Sequence, residues 1–419
     1  MTISVRASLI AAIGLIWFTG ASAQSVDETP PVVPSCLSGQ ECPLGSVRVD
    51  WFDLGSLGGS ATVFGINAAG DMVGSAHTRF EEETHAVIWT RSTGIRSLGL
   101  GEASDINNLG QVTGYTWFAD GARAFVWTEQ TGFRDLGTLG GAFSRGLAIN
   151  DRGWVAGASE TSDATTHAFL WTPEEGMIDL GTLGGRHSTA YGINLWGQVV
   201  GGSMTADRLT HAFTWTRQAG MVDLGPGFAF DVNRQAWIVG QQLLPDFSAR
   251  AVAWTPSGML TLGPGTANAI NELGDIAWNN WIATLWSWPL GIINMQVGAA
   301  DDVNELDVLV GAAVAPAGAE FGLQTGAMWR VQAGWQVEFD AVRRMAEVIG
   351  SESPRRLPNG ALNGLARAEQ ALLEDQKDAA SAELIKVIRH VERLTRSGRS
   401  PEWYVLLGML RSIVGRLEE

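Results

Sequence analysis

Ala168-Phe169-Leu170-Trp171, Pro173-Glu174-Glu175-Gly176, Met177-Ile178-Asp179-Leu180, Gly181-Thr182-Leu183-Gly184-Gly185, Ser188 to Asn194 and Gln198-Val199-Val200-Gly201 follow one another along the chain. Four apolar runs of strand length alternate with turn residues in this stretch. No run is long enough, or 3.6-periodic enough, for a helix. The stretch therefore reads as four short antiparallel strands.

The same unit recurs on both sides. An [Ile/Val]-Asn pair followed by a turn anchors it at Asn67, Asn107, Asn150, Asn194, Asn233, Asn271 and Asn304, with spacings of 40, 43, 44, 39, 38 and 33. A Trp ending a short apolar run gives a second anchor at Trp89, Trp127, Trp171, Trp215, Trp254, Trp286 and Trp329. Four strands every ~40 residues is the size of a propeller blade. The repeats predict a mainly β chain, a seven-bladed β-propeller over residues 47–340. A linear solenoid, the other repeat architecture, uses shorter coils and needs caps at both ends.

The ends of the array favour closure. Val47 to Gly55 reads as a second-strand motif without a first strand before it, and Gly326-Ala327-Met328-Trp329 as a first strand near the end. Either Trp51 to Gly55 or Trp335 to Phe339 can fill the shared slot, which removes exposed edges.

Ala-Phe-Leu-Trp (168–171), Asp-Leu-Gly-Thr-Leu-Gly-Gly (179–185) and Ile-Asn-x-x-Gly-Gln-Val-Val-Gly (193–201) resemble the HAF family of extracellular repeats, over roughly residues 50–330. The likeness weakens after Pro226, where Asp-Leu-Gly becomes Thr261-Leu262-Gly263 and then Ile292-Ile293-Asn294. It implies an exported β-repeat protein. It transfers no catalytic residues.

Residues 1–23 read as a secretory signal. Arg6 supplies the positive start, Ala7 to Thr19 an apolar run, and Ala21-Ser22-Ala23 a cleavage site. The apolar run is shorter than the roughly 20 residues of a spanning helix, so no stable membrane span is expected after cleavage. The destination is periplasmic or extracellular. Residues 24–46, with Pro30, Pro31 and Pro34, read as a linker. Cys36 and Cys42 bracket a tight loop there and are expected to form a disulfide in an oxidising compartment.

Residues that recur in every unit are read as architecture. Asn107, Asn150 and Asn194 open four-residue turns closed by Gly, in which an Asn side chain bonds backbone two residues on. Asp135, Asp179 and Asp223 of the Asp-Leu-Gly motif are expected to bond the backbone of a neighbouring blade. His85, His167 and His211 share a slot with Arg123 and Arg250. Arg is no metal ligand here, so a ring of metal ligands is not expected, and no cofactor is implied. The repeated Trp is read as packing between blades.

The irregular places make better binding candidates. Trp278, Asn279, Asn280, Trp281, Trp286 and Trp288 depart from the repeat and cluster aromatic and amide groups, as a sugar-binding groove does; the alternative is a blade packed with extra aromatics.

From Ala341 onward helical periodicity replaces the strands. Leu362, Leu365, Ala368, Leu372 and Leu373 line one helix, Leu384, Ile388, Val391 and Leu394 another, and Leu406, Leu407, Leu410, Ile413, Val414 and Leu417 a third. Residues 341–419 form a predicted small helical bundle. From Asn363 to Val414 this segment is similar to the FIMAH domain, through Ala-Arg-Ala-Glu-Gln-Ala-Leu (366–372), Ala380 to Val391 and Leu394 to Ser400. That resemblance implies an attachment or interaction module.

Composition narrows the functions. The 419 residues carry 28 basic and 44 acidic side chains, a formal net charge of −16, with 45% hydrophobic residues. That apolar fraction is globular. The acidity argues against nucleic acid, whose binding runs on dense Lys and Arg. No Gly-x-Ser-x-Gly elbow, P-loop or His-Glu-x-x-His motif occurs. The expectation is an exported, noncatalytic binding or scaffolding module for a surface protein or polysaccharide. The alternative is a glycosidase or lyase, which needs only two well-placed carboxylates.

Overall fold

The computed structural model describes residues 32–33, 35–37, 47–78, 83–119, 121–256, 258–279, 283–287, 291–294, 299–304, 308–314, 324–332, 359–373, 376–395, 410 and 413–414. The signal, Cys42 and therefore the Cys36–Cys42 pairing, Asn280, Trp281, Trp288 and Trp335 to Phe339 lie outside them.

The chain is mainly β. Its strands pair antiparallel in successive four-strand groups. The first runs Gly58–Ile66, Met72–Thr78, Thr84–Thr90 and Gly94–Leu100. The second runs Glu102–Ile106, Val112–Phe118, Gly121–Thr128 and Gly132–Asp135. The third runs Gly140–Ile149, Val155–Thr161, Thr166–Thr172 and Gly176–Asp179. The fourth holds Gly184–Ile193, Val199–Thr205 and Thr210–Thr216, and shares the long strand Gly220–Val232 with the fifth. Ile238–Leu243, Ala249–Thr255 and Gly258–Pro264 complete the fifth. Thr266–Ile270, Ile276–Asn279, Ala283–Ser287 and Gly291–Asn294 make the sixth. Ala299–Val303, Val308–Val314 and Gln324–Gln332 make three strands of the last, and Val47–Asp53 pairs with Gln324–Gln332 as its outer strand, Trp51 opposite Trp329. Of the two segments that the sequence offered for this slot, the amino-terminal one occupies it.

Residues 32–37, expected as linker, include two short parallel strands. Val32–Val33 lies on Gly291–Asn294, and Ser35–Leu37 on Val47–Asp53.

Core residues lie between consecutive groups. Val73, Ala86 and Ile88 pack with Ala103, Ile106, Val112, Phe125 and Trp127. Ala124, Val126 and Leu136 meet Ile149, Val155, Phe169 and Trp171. Leu54, Val63, Ile66 and Met72 meet Val308 and Val310, joining the last group to the first. A strand covered on both faces reads as a continuous apolar run, which is why Ala168-Phe169-Leu170-Trp171 is buried throughout and does not alternate.

The inner strand of each group bulges just before its Asn. A second-strand glycine crosses it closely: a Cβ on Gly201 would sit 2.0 Å from the Thr189 carbonyl oxygen. This backbone approach accounts for the Val-Gly ending of the repeat.

The Asn residues link the groups in a circuit. The Nδ2 groups of Asn67, Asn107, Asn150, Asn194, Asn233 and Asn271 each donate to the main-chain oxygen of the next Asn, at 2.8–3.3 Å. Asn304 donates back to the Asn67 oxygen at 3.1 Å. Each of Asn107, Asn150 and Asn194 also accepts two backbone N–H groups of its own turn, two and four residues on. Replacing Asn150 by Ala strands the Arg152 and Trp154 amides together and takes one of two donors from the Asn194 carbonyl, which keeps the Gly197 N–H. The expected cost is about 2–3 kcal/mol in urea unfolding. A change within 0.5 kcal/mol, about the scatter of a surface site, would contradict this account of the circuit.

Among the described residues the helices α1 (Asn359–Leu373) and α2 (Lys377–Thr395) follow. Leu365, Ala368 and Ala371 are buried on α1, and Leu384, Val387, Ile388 and Val391 on α2. A Cβ on Gly364 would come within 2.8 Å of Val387, so glycine lets the helices approach. Arg367 and Glu383 pair across them at 2.8 Å. No described helix is long and apolar enough to cross a membrane.

Candidate functional site

Antiparallel pairing puts every Asn turn at one end of the strands, together with the hairpins between third and outer strands. The hairpins between second and third strands lie at the other end.

The irregular cluster does not form an open groove among the described residues. Trp278 is 5% and Trp286 3% exposed. Both fill the core between the fifth and sixth groups beside Leu262 and Ile276. Trp278 stands where the fourth group has Gly201, and its Nε1 donates to the Pro264 oxygen at 2.9 Å. Asn279 both donates to and accepts from Ala300, at 3.0 and 2.9 Å. Buried rings have no face left for a sugar.

The Asp-Leu-Gly carboxylates also differ from expectation. Asp135, Asp179 and Asp223 accept the N–H of Gly137, Gly181 and Gly225, two residues on, at 2.7–2.8 Å. Asp179 and Asp223 also pair with His167 and His211 of the adjacent strand, at 2.9 and 2.8 Å. His85 meets Ser97 in the same way, at 2.8 Å. The partners are in the same sheet because the carboxylate is half-exposed and its own turn presents the nearest free amide. No group of three or more His, Cys, Asp or Glu among the described residues is placed to hold a metal ion.

The structure reveals instead a polar depression of about 160 Å³ where the Asn turns converge. Asp105, Asn108, Asp151, Leu195, Asp231 and Glu272 are among the residues that line it. Asp105 accepts the Ile106 and Ile149 amides, and Asp231 the Val232 and Ile270 amides, at 2.8–3.0 Å. Each carboxylate thus ties its inner strand to the next. Asp302 does the same with Val303 and Ile66.

Withdrawal from water, followed by the negative charges of Asp105 and Asp231, pushes the Asp302 carboxyl well above the usual carboxylate range; its two backbone donors oppose the shift. The folded chain therefore holds this proton more tightly than the unfolded chain. The stabilisation is fully present below the unfolded value, about 3.9, and is lost as pH rises through the higher folded value. Asp105→Asn removes one of the charges. It is expected to flatten the fall in Tm as pH rises above the unfolded value of about 3.9. Superimposable Tm–pH curves for the two proteins would count against this coupling.

Trp196, one residue after Leu195 of the lining, is 63% exposed. The Arg152 guanidinium lies 5.2 Å from the Trp154 ring centre and 5.8 Å from that of Trp196. Arg152 follows Asp151 of the lining in sequence, and Asp151 is bonded to Asn108 of the preceding turn at 2.9 and 3.1 Å. Trp196 was not singled out in the sequence because it sits in a regular turn. The available signal was its size at a position that elsewhere holds Ala69, Leu109, Arg152, Gln235 and Leu273.

No protein-family model and no curated protein matches this sequence. Among solved structures, the chain is similar to TolB from Acinetobacter baumannii at 9% identity and a TM-score of 0.38, over 48% of this chain and 55% of that one. The chain thus spans little more than half of that TolB. It is similar to a gluconolactonase from Xanthomonas campestris at 10% identity and a TM-score of 0.38, over 73% of this chain and 99% of that one. A mutant of AofleA from Arthrobotrys oligospora matches at 12% identity and a TM-score of 0.33, over 70% and 94%.

Proposed function

We propose that the chain is a closed seven-bladed β-propeller of HAF-like repeats carrying a FIMAH-like helical segment. It is exported and works as a noncatalytic module that binds a surface polysaccharide. Closure is supported by the Asn circuit, which returns from Asn304 to Asn67, and by the pairing of Val47–Asp53 with Gln324–Gln332.

One observation carries the function. The repeated polar side chains are engaged in holding the scaffold, whereas Trp196 stands exposed on the turn whose Leu195 lines an open polar depression. Propeller loops at the ends of the strands are free to vary without touching the core.

The test is retention of the purified chain on insoluble polysaccharides and on a cell-surface fraction, with release of soluble sugar followed in parallel. Saturable retention without product is expected. Released product that scales with chain concentration would replace this reading with the glycosidase or lyase alternative.

A further inference from the structure

We infer that the hairpin tips of the fourth and fifth groups, carrying Arg208, Leu209, Asp246 and Phe247, form a self-complementary surface on which a second copy of this chain docks about a two-fold axis. Such a dimer goes beyond the polysaccharide reading and does not depend on it.

Three successive hairpins between second and third strands share one backbone. Thr161, Thr205 and Leu244 each accept the N–H three residues on and donate to the carbonyl four residues on, at 2.8–3.1 Å. The fourth residue of each tip, Ala164, Arg208 or Phe247, has a left-handed backbone, with φ of 57°, 67° and 64°. Glycine takes that conformation without strain, and a bulky residue there is a true outlier. The third group builds the same tip with Ala164, so the fold needs no larger side chain at this place. Yet Phe247 is 85% exposed, and Leu209, next to Arg208, is 53% exposed. A strained backbone that holds an aromatic ring out in water stabilises nothing within the chain, and it points to a use outside it.

The two tips belong to adjacent groups and lie at the same end of the strands. Between them the chain crosses as one unbroken strand, Gly220–Val232, with Pro226 exposed. Pro245 is exposed in the fifth group's tip. Apolar groups and two opposite charges therefore share one face. Hydrogen bonds from the Ser248 hydroxyl and amide, at 2.6 and 3.0 Å, with the charge of Arg250, hold the Asp246 carboxyl below the usual range, so it is ionised. Among the described residues the Arg208 side chain has no ion pair. In a two-fold contact residue i meets j while j meets i, so one tip of each kind makes two matched pairs. Arg208 and Leu209 of one copy face Asp246 and Phe247 of the other, twice. Apolar burial supplies the attraction, and the ion pairs fix the register. An anionic lipid surface is a poor occupant, since Asp163, Asp207 and Asp246 place one carboxylate on each tip.

The experiment is sedimentation equilibrium of the full chain at about 0.15 M salt, where repulsion between two chains of net charge −16 is screened beyond about 8 Å. Comparison proteins carry Phe247→Gly, Arg208→Lys, Arg208→Asp or Trp117→Ala. Gly suits the φ of 64°, so Phe247→Gly keeps the fold. A matching Tm at about 1 µM chain, where monomer prevails over a dimer of micromolar affinity, verifies this. Trp117 is exposed on the second group's hairpin at the same end and serves as control.

The contact is small, so a reversible dimer with a Kd of about 10 µM is expected. Dimerisation should weaken about tenfold or more in Phe247→Gly and in Arg208→Asp, and by no more than about threefold in Arg208→Lys and Trp117→Ala. A chain that stays monomeric up to about 200 µM would overturn the dimer. A dimer left unchanged by Phe247→Gly would overturn this surface. Equal weakening by Arg208→Lys and Arg208→Asp would overturn the charge pairing.

Discussion

A chain truncated before Leu54 is expected to lose cooperative unfolding and to aggregate. Val47–Asp53 pairs with Gln324–Gln332 over six registered positions, from Asp53 opposite Ala327 to Arg48 opposite Gln332. At about 1 kcal/mol net for each backbone hydrogen bond, the lost ladder amounts to several kcal/mol. That rivals the roughly 5–15 kcal/mol by which folded domains are stable. Truncation also removes both short strands on the outer edges of the last two groups. What remains is a bare nine-residue edge at Gln324–Gln332, a template for intermolecular pairing. Circular dichroism in urea, with light scattering, measures the effect. A soluble truncated chain with an unchanged urea midpoint would show that this strand does not hold the sheets together.

Arg145→Ala is expected to cost about 3–5 kcal/mol, the largest effect of any single substitution considered. Arg145 Nη2 lies 2.6 Å from Glu102 Oε1, with both side chains buried between the inner strands of the second and third groups. The guanidinium also lies 5.5 Å from the Tyr115 ring centre. Burial, reinforced by the Glu102 charge and opposed by Arg145, raises the Tyr115 phenol above its ordinary range. Removing only the guanidinium leaves a carboxylate without its counter-charge in a dry site. The double replacement Glu102→Gln with Arg145→Met removes both charges and keeps most of the volume, so it should recover most of the loss. Urea unfolding of the single and double variants separates a stranded charge from simple loss of packing. Equal destabilisation in both would assign the effect to packing.

Neither residue of this pair was legible in the sequence. Glu102 and Arg145 hold corresponding places in consecutive inner strands, where the fourth and fifth groups carry Thr189 and Phe228. A position that tolerates Thr, Phe, Glu and Arg conveys no pattern until two opposite charges are seen to meet. Trp278 failed as a site marker for the converse reason. Its irregularity in the repeat was real, but it reflects a large side chain filling space over Gly263 and Gly265.

The sequence by itself determined the repeat length, the strand-and-turn order and the Asn positions, because these depend on local backbone chemistry. An Asn that bonds its own turn, and a glycine that must pass close to a carbonyl, leave their mark every ~40 residues. It also separated the helical segment, whose periodicity is local too. Only the tertiary structure decided which segment pairs with Gln324–Gln332 and which charges are buried together. It also decided which tryptophans face solvent. Those outcomes depend on contacts between residues far apart in the chain, and the same Trp serves as core or as surface according to what packs against it. Trp196 and Trp286 illustrate the difference: the sequence distinguishes them weakly, and the neighbouring sheet covers one and leaves the other open.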